Sequence, residues 1–287
     1  KNVRILITGA KGFLARELNE YFSAKGHEIC LLSRASPFYV DITDSSMVSE
    51  FFDKEGYFDV VFHTAIRGAK DTRLEDLSIL SDNLSMYQNL VESKDFYGYM
   101  FNFCSGTAFE GNRLINEVRE DEIEDCRPKG YYGLSKNIIA QESHKSSKIF
   151  NFRLFGCFGK YEEETRFIKQ SLLRIKEGDP PRIHRNKRMD FFYAKDVATV
   201  LDFYLHNENI HGLPQDINLV YPQKYTLVEI AGLINNLTGF KKSCIIESSI
   251  PANPYCGNGD ALEELNLSLL GISKGIEELR KHVFGEI

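Results

Sequence analysis

Tyr132 and Lys136 stand four residues apart in the segment Tyr131-Tyr132-Gly133-Leu134-Ser135-Lys136. On a helix, positions i and i+4 share a face, so this phenol and ammonium would project together. A free tyrosine titrates near ~10 and transfers protons poorly at neutral pH. A neighbouring cation favours the phenolate and draws the group toward the range where acid–base catalysis is efficient. The same spacing also occurs on solvated helix faces, so the pair acquires meaning only from the elements around it.

Those elements begin at the N-terminus. Val3-Arg4-Ile5-Leu6-Ile7-Thr8 is an apolar run of strand length, followed by Gly9-Ala10-Lys11-Gly12-Phe13-Leu14-Ala15 and a helical pattern from Phe13 to Phe22. Strand, Gly-rich turn and helix N-terminus together form a phosphate cradle. Gly9 permits the tight turn, Gly12 admits a pyrophosphate to the backbone, and the helix amides supply positive character. The alternative is an ordinary strand–helix loop that contains glycines. A second strand, Glu28–Leu32, ends at Ser33-Arg34. In dinucleotide folds the residue here meets the adenosine ribose, where an acid selects NAD and an arginine can pair with the 2′-phosphate of NADP. Arg34 therefore points to NADP, with NAD possible. Lys11 either helps the same phosphate or is a solvated loop lysine.

The alternation of strands and helices continues. Val40–Asp44 is a short strand or turn leading to a helix capped by Thr43 or Asp44, and Asp59–Ala65 is another strand and loop. A long helix spans about Arg73 to Ser93, and Tyr99–Ser105 is a further apolar strand. Nearly continuous apolar strands alternating with helices predict an α/β fold, a Rossmann-type doubly wound parallel sheet. Its ligand crevice lies at the carboxyl ends of the strands, where Gly9, Arg34, His63–Ala65 and Ser105–Thr107 all fall.

Composition narrows the partners. The chain has 287 residues, 43% hydrophobic and 26% charged, with a formal net charge of −6. That charge argues against nucleic acid or an anionic membrane surface as the main partner. No apolar run approaches the roughly 18 residues of a membrane helix, and the first residues enter a strand directly, so a cytoplasmic protein is expected. Six scattered cysteines show no paired spacing and are expected to be small buried hydrophobes. No metal site is expected, since the histidines and cysteines form no ligand cluster along the chain.

Several motifs, in order, resemble the extended short-chain dehydrogenase/reductases that act on nucleotide-sugars, and the resemblance covers almost the whole length. Thr8–Ala15 resembles T-G-x-x-G-[FY]-[IL]-[GA]; Asp41-Ile42-Thr43-Asp44 resembles D-[LI]-x-D; Phe62-His63-Thr64-Ala65 resembles [VI]-[FI]-H-x-A. Tyr132 and Lys136 match the catalytic tyrosine and lysine, and Arg188–Ala198 resembles R-D-[FY]-[IV]-[YH]-[VA]-x-D-[VL]-A. The resemblance implies cofactor contacts from Gly9, Lys11, Gly12, Phe13, Leu14, Arg34, Asp41, Ile42, His63, Thr64 and Ala65, with Asp41 at the adenine. It places Asn83 in a network that positions the lysine. It also implies that Tyr132 is the general acid/base on a sugar oxygen, that Lys136 holds the nicotinamide ribose, and that Arg188 binds the substrate's diphosphate.

Two departures stand out. The family's catalytic Ser/Thr position aligns with Gly106, leaving the flanking Ser105 and Thr107 as candidate hydroxyls, Thr107 preferred and also facing substrate. Both can equally be strand-end residues bonding the backbone. In Arg153–Gly159, Gly156 replaces an Asn that often touches substrate. A 4,6-dehydratase is expected to carry Asp-Glu after the catalytic Thr, but Ala108-Phe109 follow Thr107. An epimerase-reductase of the GDP-fucose synthase type is expected to carry a Cys and a His where Ala108 and Lys160-Tyr161 stand. The remaining readings are an NDP-4-keto-(6-deoxy)hexose reductase, preferred, or an NDP-sugar 4-epimerase with retained NAD. A catalytically inactive NADP-sensing module is a third alternative.

Residues 1–160 are expected to form the NAD(P)-binding domain and 161–287 mainly a smaller C-terminal α/β substrate-binding lobe, with segments such as 186–220 returning to the first. In that lobe, Arg182, Arg185, Lys187 and Arg188 make a basic cluster read as a diphosphate clamp centred on Arg188. Helices are expected over Phe167–Lys176, from a Thr226 cap to Leu237, over Leu262–Leu270 and over Lys274–Val283. The Pro-, Asn- and Gly-rich stretch Pro251–Asp260 is expected to be a mobile lip. By analogy, two long helices (about Arg73–Ser93 and Tyr132–Ser146) are expected to form a homodimer interface.

Overall fold

The computed structural model describes residues 2–35, 39–68 and 76–286. Its centre is a six-stranded, wholly parallel sheet. Along the chain the strands are β1 (Arg4–Thr8), β2 (Glu28–Leu32), β3 (Phe58–His63), β4 (Tyr97–Ser105), β6 (Ile149–Leu154) and β10 (Asp216–Leu219). Their spatial order is β2-β1-β3-β4-β6-β10. β1 pairs with β2 on one side and β3 on the other, so the chain reverses direction beside Thr8. That switch point opens a crevice at the carboxyl edge of the sheet.

Both faces of a parallel sheet must be covered, which is why its strands are apolar throughout. Ile5, Leu6, Ile7, Val60, Val61 and Phe62 are fully buried. One face packs against α1 (Phe13–Ala24) and α6 (Ala194–His206), through Leu18, Phe22, Val197 and Leu201. The other packs against α2 (Ser45–Glu55), α3 (Leu77–Glu92) and α4 (Tyr131–Ser143), through Phe52, Leu90 and Ile139. Asp44 caps α2 by accepting the amides of Ser46 and Met47. The expected helix start at Arg73 lies outside the described residues. Val40–Asp44 forms a turn, entered through a bridge between Ser33 and Tyr39 and a bond from the Val40 amide to the Ser33 carbonyl at 2.9 Å.

A second core gathers α5 (Phe167–Lys176), α7 (Leu227–Thr238) and α9 (Gly271–Phe284) around Leu172, Ile230 and Ile276. Thr226 caps α7 in a reciprocal box with Glu229, worth about 1 kcal/mol. Short parallel pairs complete the fold: β5 (Ile115–Val118) with β12 (Tyr255–Gly257), β7 (Cys157–Phe158) with β9 (Phe192–Tyr193), and β8 (Arg182–Arg185) with β11 (Ile245–Ser248).

Two expectations for this part are corrected. The helix expected over Leu262–Leu270 is only α8 (Asp260–Glu263). The amides of Leu265 and Asn266 still bond the Leu262 and Glu263 carbonyls, but Asn266 takes a positive φ of 50° and ends the run there. The Asp196 carboxylate then accepts the amides of Leu270 (2.8 Å) and Gly271 (2.9 Å), where α9 begins. The Pro251–Asp260 stretch is not a loose lip. It carries β12, and the Tyr255 amide and carbonyl bond to Arg188 and Asp190 at 2.9 and 3.2 Å.

Candidate active site

A cleft of about 250 Å³ lies at the switch point, lined by Thr8, Gly9, Lys11, Gly12, Arg34, Asp41, Ile42, Thr64 and Ala65 among others. Gly9 has φ +70°, and a Cβ there would sit 2.7 Å from the Ala65 Cα. The β1–α1 turn therefore lies against the backbone after β3, which only glycine permits. At Gly12, the residue before α1, a Cβ would meet only the Gly9 carbonyl oxygen, at 3.2 Å. The backbone face there is open to a phosphate, with the first amides of a twelve-residue helix behind it.

Further along the cleft, the Asp41 carboxylate accepts the Thr43 amide at 3.0 Å and its hydroxyl at 2.7 Å. Partial burial works to raise this carboxyl, but the Thr43 bonds and the Arg34 charge outweigh it and hold the group below its usual range. Arg34 is exposed at the rim. The cleft thus fits an elongated dinucleotide, with an open backbone turn ahead of a helix at one end and a carboxylate and an exposed cation at the other.

The side chains of three expected contacts do not line the cleft. Phe13 and Leu14 pack into the core behind the turn. His63 is buried with Nδ1 2.9 Å from the Thr8 hydroxyl, and burial, with the nearby Lys136 charge, pushes its pKa down to about 3. It is a neutral brace between β1 and β3. The Thr8 hydroxyl also accepts the Ala65 amide (3.2 Å), and the Thr64 hydroxyl donates to the Thr8 carbonyl. Thr8, the first residue of the glycine motif, also lines the cleft, as does Arg67, which no motif marks and which donates to Asp82 at 2.6 Å.

Tyr132 and Lys136 project from the first two turns of α4, the Lys136 Nζ 5.9 Å from the Tyr132 ring centre. Lys136 is buried and donates to the Phe103 carbonyl at 2.6 Å. Burial draws its pKa down to about 8, partly opposed by Cys104. Asn83 from α3 bonds both the amide and carbonyl of Arg67 at 2.8 Å, and donates to Ser135 at 3.1 Å. Ser135 in turn donates to the Tyr132 carbonyl at 2.7 Å. Asn83 thus ties the cleft wall to the tyrosine's helix and does not touch the lysine directly.

The turn after β4 is pressed against this helix. A Cβ at Gly133 would lie 2.8 Å from the Thr107 carbonyl, and Asn137 donates to the Ala108 carbonyl at 3.0 Å. The arrangement brings Ser105 and Thr107 alongside the tyrosine's turn. Ser105 Oγ accepts the Thr107 amide at 3.3 Å and the Thr107 hydroxyl at 2.9 Å, and lies 3.4 Å from the Tyr255 hydroxyl. Tyr255 is the residue sequence reasoning missed: one tyrosine in a Pro- and Asn-rich stretch has neither periodicity nor motif.

The basic cluster divides. Arg185 donates to the Ile250 and Pro251 carbonyls and Arg182 pairs with Glu247, so both hold β8 to its neighbours. Arg188 meets Glu117 at 3.0 Å and Asn116 at 3.2 Å. Lys187 approaches the Tyr255 ring, 5.7 Å from its centre, and burial lowers its pKa. Among the described residues, folding also brings together His27, Asp202 and His206, a group with metal-ligand chemistry that chain spacing did not reveal. His27 Nδ1 accepts the Val3 amide at 3.2 Å, Asp202 Oδ2 accepts Lys25 at 2.7 Å, and Asp202 Oδ1 lies 3.0 Å from His206 Nδ1. Among the described residues, no helix is long and apolar enough to cross a membrane.

The profile of the NAD dependent epimerase/dehydratase family matches residues 5–219, and the chain belongs to that family. It is thereby an NAD(P)-dependent enzyme of the extended short-chain dehydrogenase/reductase type, whose members act on nucleotide-sugars. A curated relative, GDP-L-colitose synthase from Yersinia pseudotuberculosis, is 21% identical over 87% of this chain and 86% of its own. Among solved structures, a GDP-D-glycero-L-gluco-heptose synthase from Campylobacter jejuni, crystallised in the presence of NADPH, superposes with a TM-score of 0.82 at 17% identity. That match covers 99% of this chain and 98% of the other. The UDP-glucose 4-epimerase of Thermus thermophilus, in complex with NAD, gives 0.78 at 19% identity, covering 99% and 100%.

Proposed function

We propose that the chain is an NDP-4-keto-(6-deoxy)hexose reductase that uses NADPH. The observation that carries the preference is Arg34, a cation on the cleft rim beyond β2 where an acid would select the unphosphorylated ribose. Reductases, which release oxidised cofactor each turnover, commonly use NADPH. Ala108 and Phe109, both fully buried, leave no acid pair for dehydration at that turn. The activities of the similar proteins, GDP-sugar synthases among them, support the nucleotide-sugar class.

When bound, the nicotinamide supplies the hydride. Gly9, Gly12, Asp41 and Arg34 hold the dinucleotide, and Thr64 and Ala65 shape the wall beside it. Tyr132 gives its proton to the sugar's C4 oxygen as that oxygen gains negative charge. Lys136 stabilises the phenolate left behind, so the ammonium must be charged for the step to proceed. Residues 161–287 supply most of the sugar-nucleotide contacts, with Arg188 on the diphosphate, while β10 and α6 serve the dinucleotide half. The chain acts in the cytoplasm as a homodimer through α3 and α4, whose shared groove is lined by Leu84, Gln88, Ile138 and Glu142. Sedimentation at micromolar concentration tests the dimer, and a monomer there refutes it.

The reaction is tested with GDP-, dTDP-, UDP- and CDP-linked 4-keto-hexoses and NADPH, following loss of nicotinamide absorbance. Stoichiometric oxidation with one of them is expected. Conversion of an intact NDP-hexose without net cofactor use would instead identify a 4-epimerase.

A further inference from the structure

Gly106 occupies the place where the family pattern carries a hydroxyl, and two rings fill the space its side chain would need. A Cβ there would lie 2.4 Å from Phe155 Cδ1 and 2.9 Å from Tyr255 Cζ. Cζ is the carbon that bears the phenol oxygen. From a distant part of the chain, Tyr255 therefore brings a hydroxyl to the region that a serine or threonine at residue 106 would serve. Its backbone is held by Arg188 and Asp190, β12 is zipped to β5, and its ring packs against Phe155 with centres 5.5 Å apart.

Proton accounting then distinguishes the three neighbouring hydroxyls. A serine hydroxyl has two acceptor sites and one proton. Ser105 Oγ fills both sites with the Thr107 amide and the Thr107 hydroxyl. It can meet the Tyr255 oxygen, 3.4 Å away, only by donating. The Thr107 proton is thus spent on Ser105 and the Ser105 proton on Tyr255, and the Tyr255 proton is the one this relay leaves uncommitted. Burial raises the Tyr255 pKa, with the Tyr132 charge acting in the same sense, so the phenol stays a donor across the working pH range.

Resting on the assignment of Tyr132 as the acid/base, we propose that the Tyr255 phenol donates the hydrogen bond to the reacting sugar oxygen, replacing the serine or threonine absent at residue 106. Ser105 and Thr107 are positioning residues that orient it. Two phenols then serve one oxygen: Tyr132 transfers its proton, and Tyr255 keeps its own while stabilising the developing charge.

Tyr255→Phe retains the ring and removes only the hydroxyl. Loss of one such donor is expected to lower kcat on the order of 100-fold. The sugar-nucleotide KM and the NADPH Kd, read by cofactor fluorescence, should move less than about threefold. Ser105→Ala should cost about tenfold in kcat, and adding it to Tyr255→Phe should cost nothing more, because it acts through the phenol. An unchanged kcat in Tyr255→Phe overturns the assignment. So does a raised KM with kcat intact, or strictly additive losses in the double variant. Failure of wild-type protein to turn over any sugar of the panel refutes the reaction reading, and this assignment with it. Wild-type turnover alongside a fully active Tyr255→Phe refutes the assignment alone.

Discussion

At the proposed dinucleotide end, the cleft is lined mostly by residues 8–67 at the ends of adjacent strands, with Asp82 and Met86 added from α3. At the proposed sugar end the candidate groups come from three distant stretches: the turn after β4, Arg188 beside β5, and Tyr255 on β12. The first end depends on the sheet's own geometry, because a strand–turn–helix places Gly9 and Gly12 wherever it folds. The second depends on how two separately packed cores meet, and its side chains are partly spent on each other, as the Arg188–Glu117 pair shows. A cofactor common to many enzymes can be held by the local design. A particular sugar requires the assembled one.

Variants separate the two ends. Tyr132→Phe sits between them and should have the largest effect, a loss of roughly 10³-fold in kcat with NADPH binding retained, measured by turnover and fluorescence titration. Arg34→Ala should affect only the dinucleotide end. Losing a charge-assisted bond is worth about 1.5–3 kcal/mol, so NADPH should bind about 10–100-fold more weakly while NADH is barely changed. Equal losses for both cofactors would show that Arg34 does not read the 2′-phosphate.

The pH profile concerns the pair that joins the ends. Burial lowers Lys136 to about 8, so its charge is present below that pH and is lost as pH rises through it. In the reducing direction kcat/KM should therefore be flat below about pH 8 and fall up to tenfold per unit above it, where the uncharged lysine no longer supports the phenolate. Lys136→Arg, charged throughout, should abolish that limb at a lower plateau. A limb that stays in place assigns it to another group. Arg188→Ala should have the smallest effect. Because Glu117 and Asn116 already share the guanidinium, about a tenfold rise in sugar-nucleotide KM with unchanged kcat is expected. Tighter NADPH dependence on the same change would mean that the two ends are coupled.

The same contrast decides what could be read from the chain. β1, its glycine turn and α1 are contiguous, so periodicity and turn chemistry reveal them together, and Phe167–Lys176 follows in the same way from its apolar spacing. His63 illustrates a limit: the motif marks its position, but only the fold shows that Thr8 holds the ring inside the sheet and that it does not line the cleft. Leu262–Leu270 has helical spacing, yet Asn266 turns into positive φ, and the Asp196 carboxylate, far away in sequence, holds the amides of Leu270 and Gly271 that open the next helix instead. Tyr255 was illegible because its meaning lies in the space above Gly106, and no local pattern records which ring fills it.

Gly106 also limits what can be grafted into this turn. A Gly106→Ser change would place a Cβ 2.4 Å from the Phe155 ring and 2.9 Å from Tyr255, so one of the two rings must shift or shrink to admit it. Shrinking Tyr255 makes the room but discards the very hydroxyl that the serine would supply. The turn has space for one such group, and a serine here and the Tyr255 ring are mutually exclusive tenants of it.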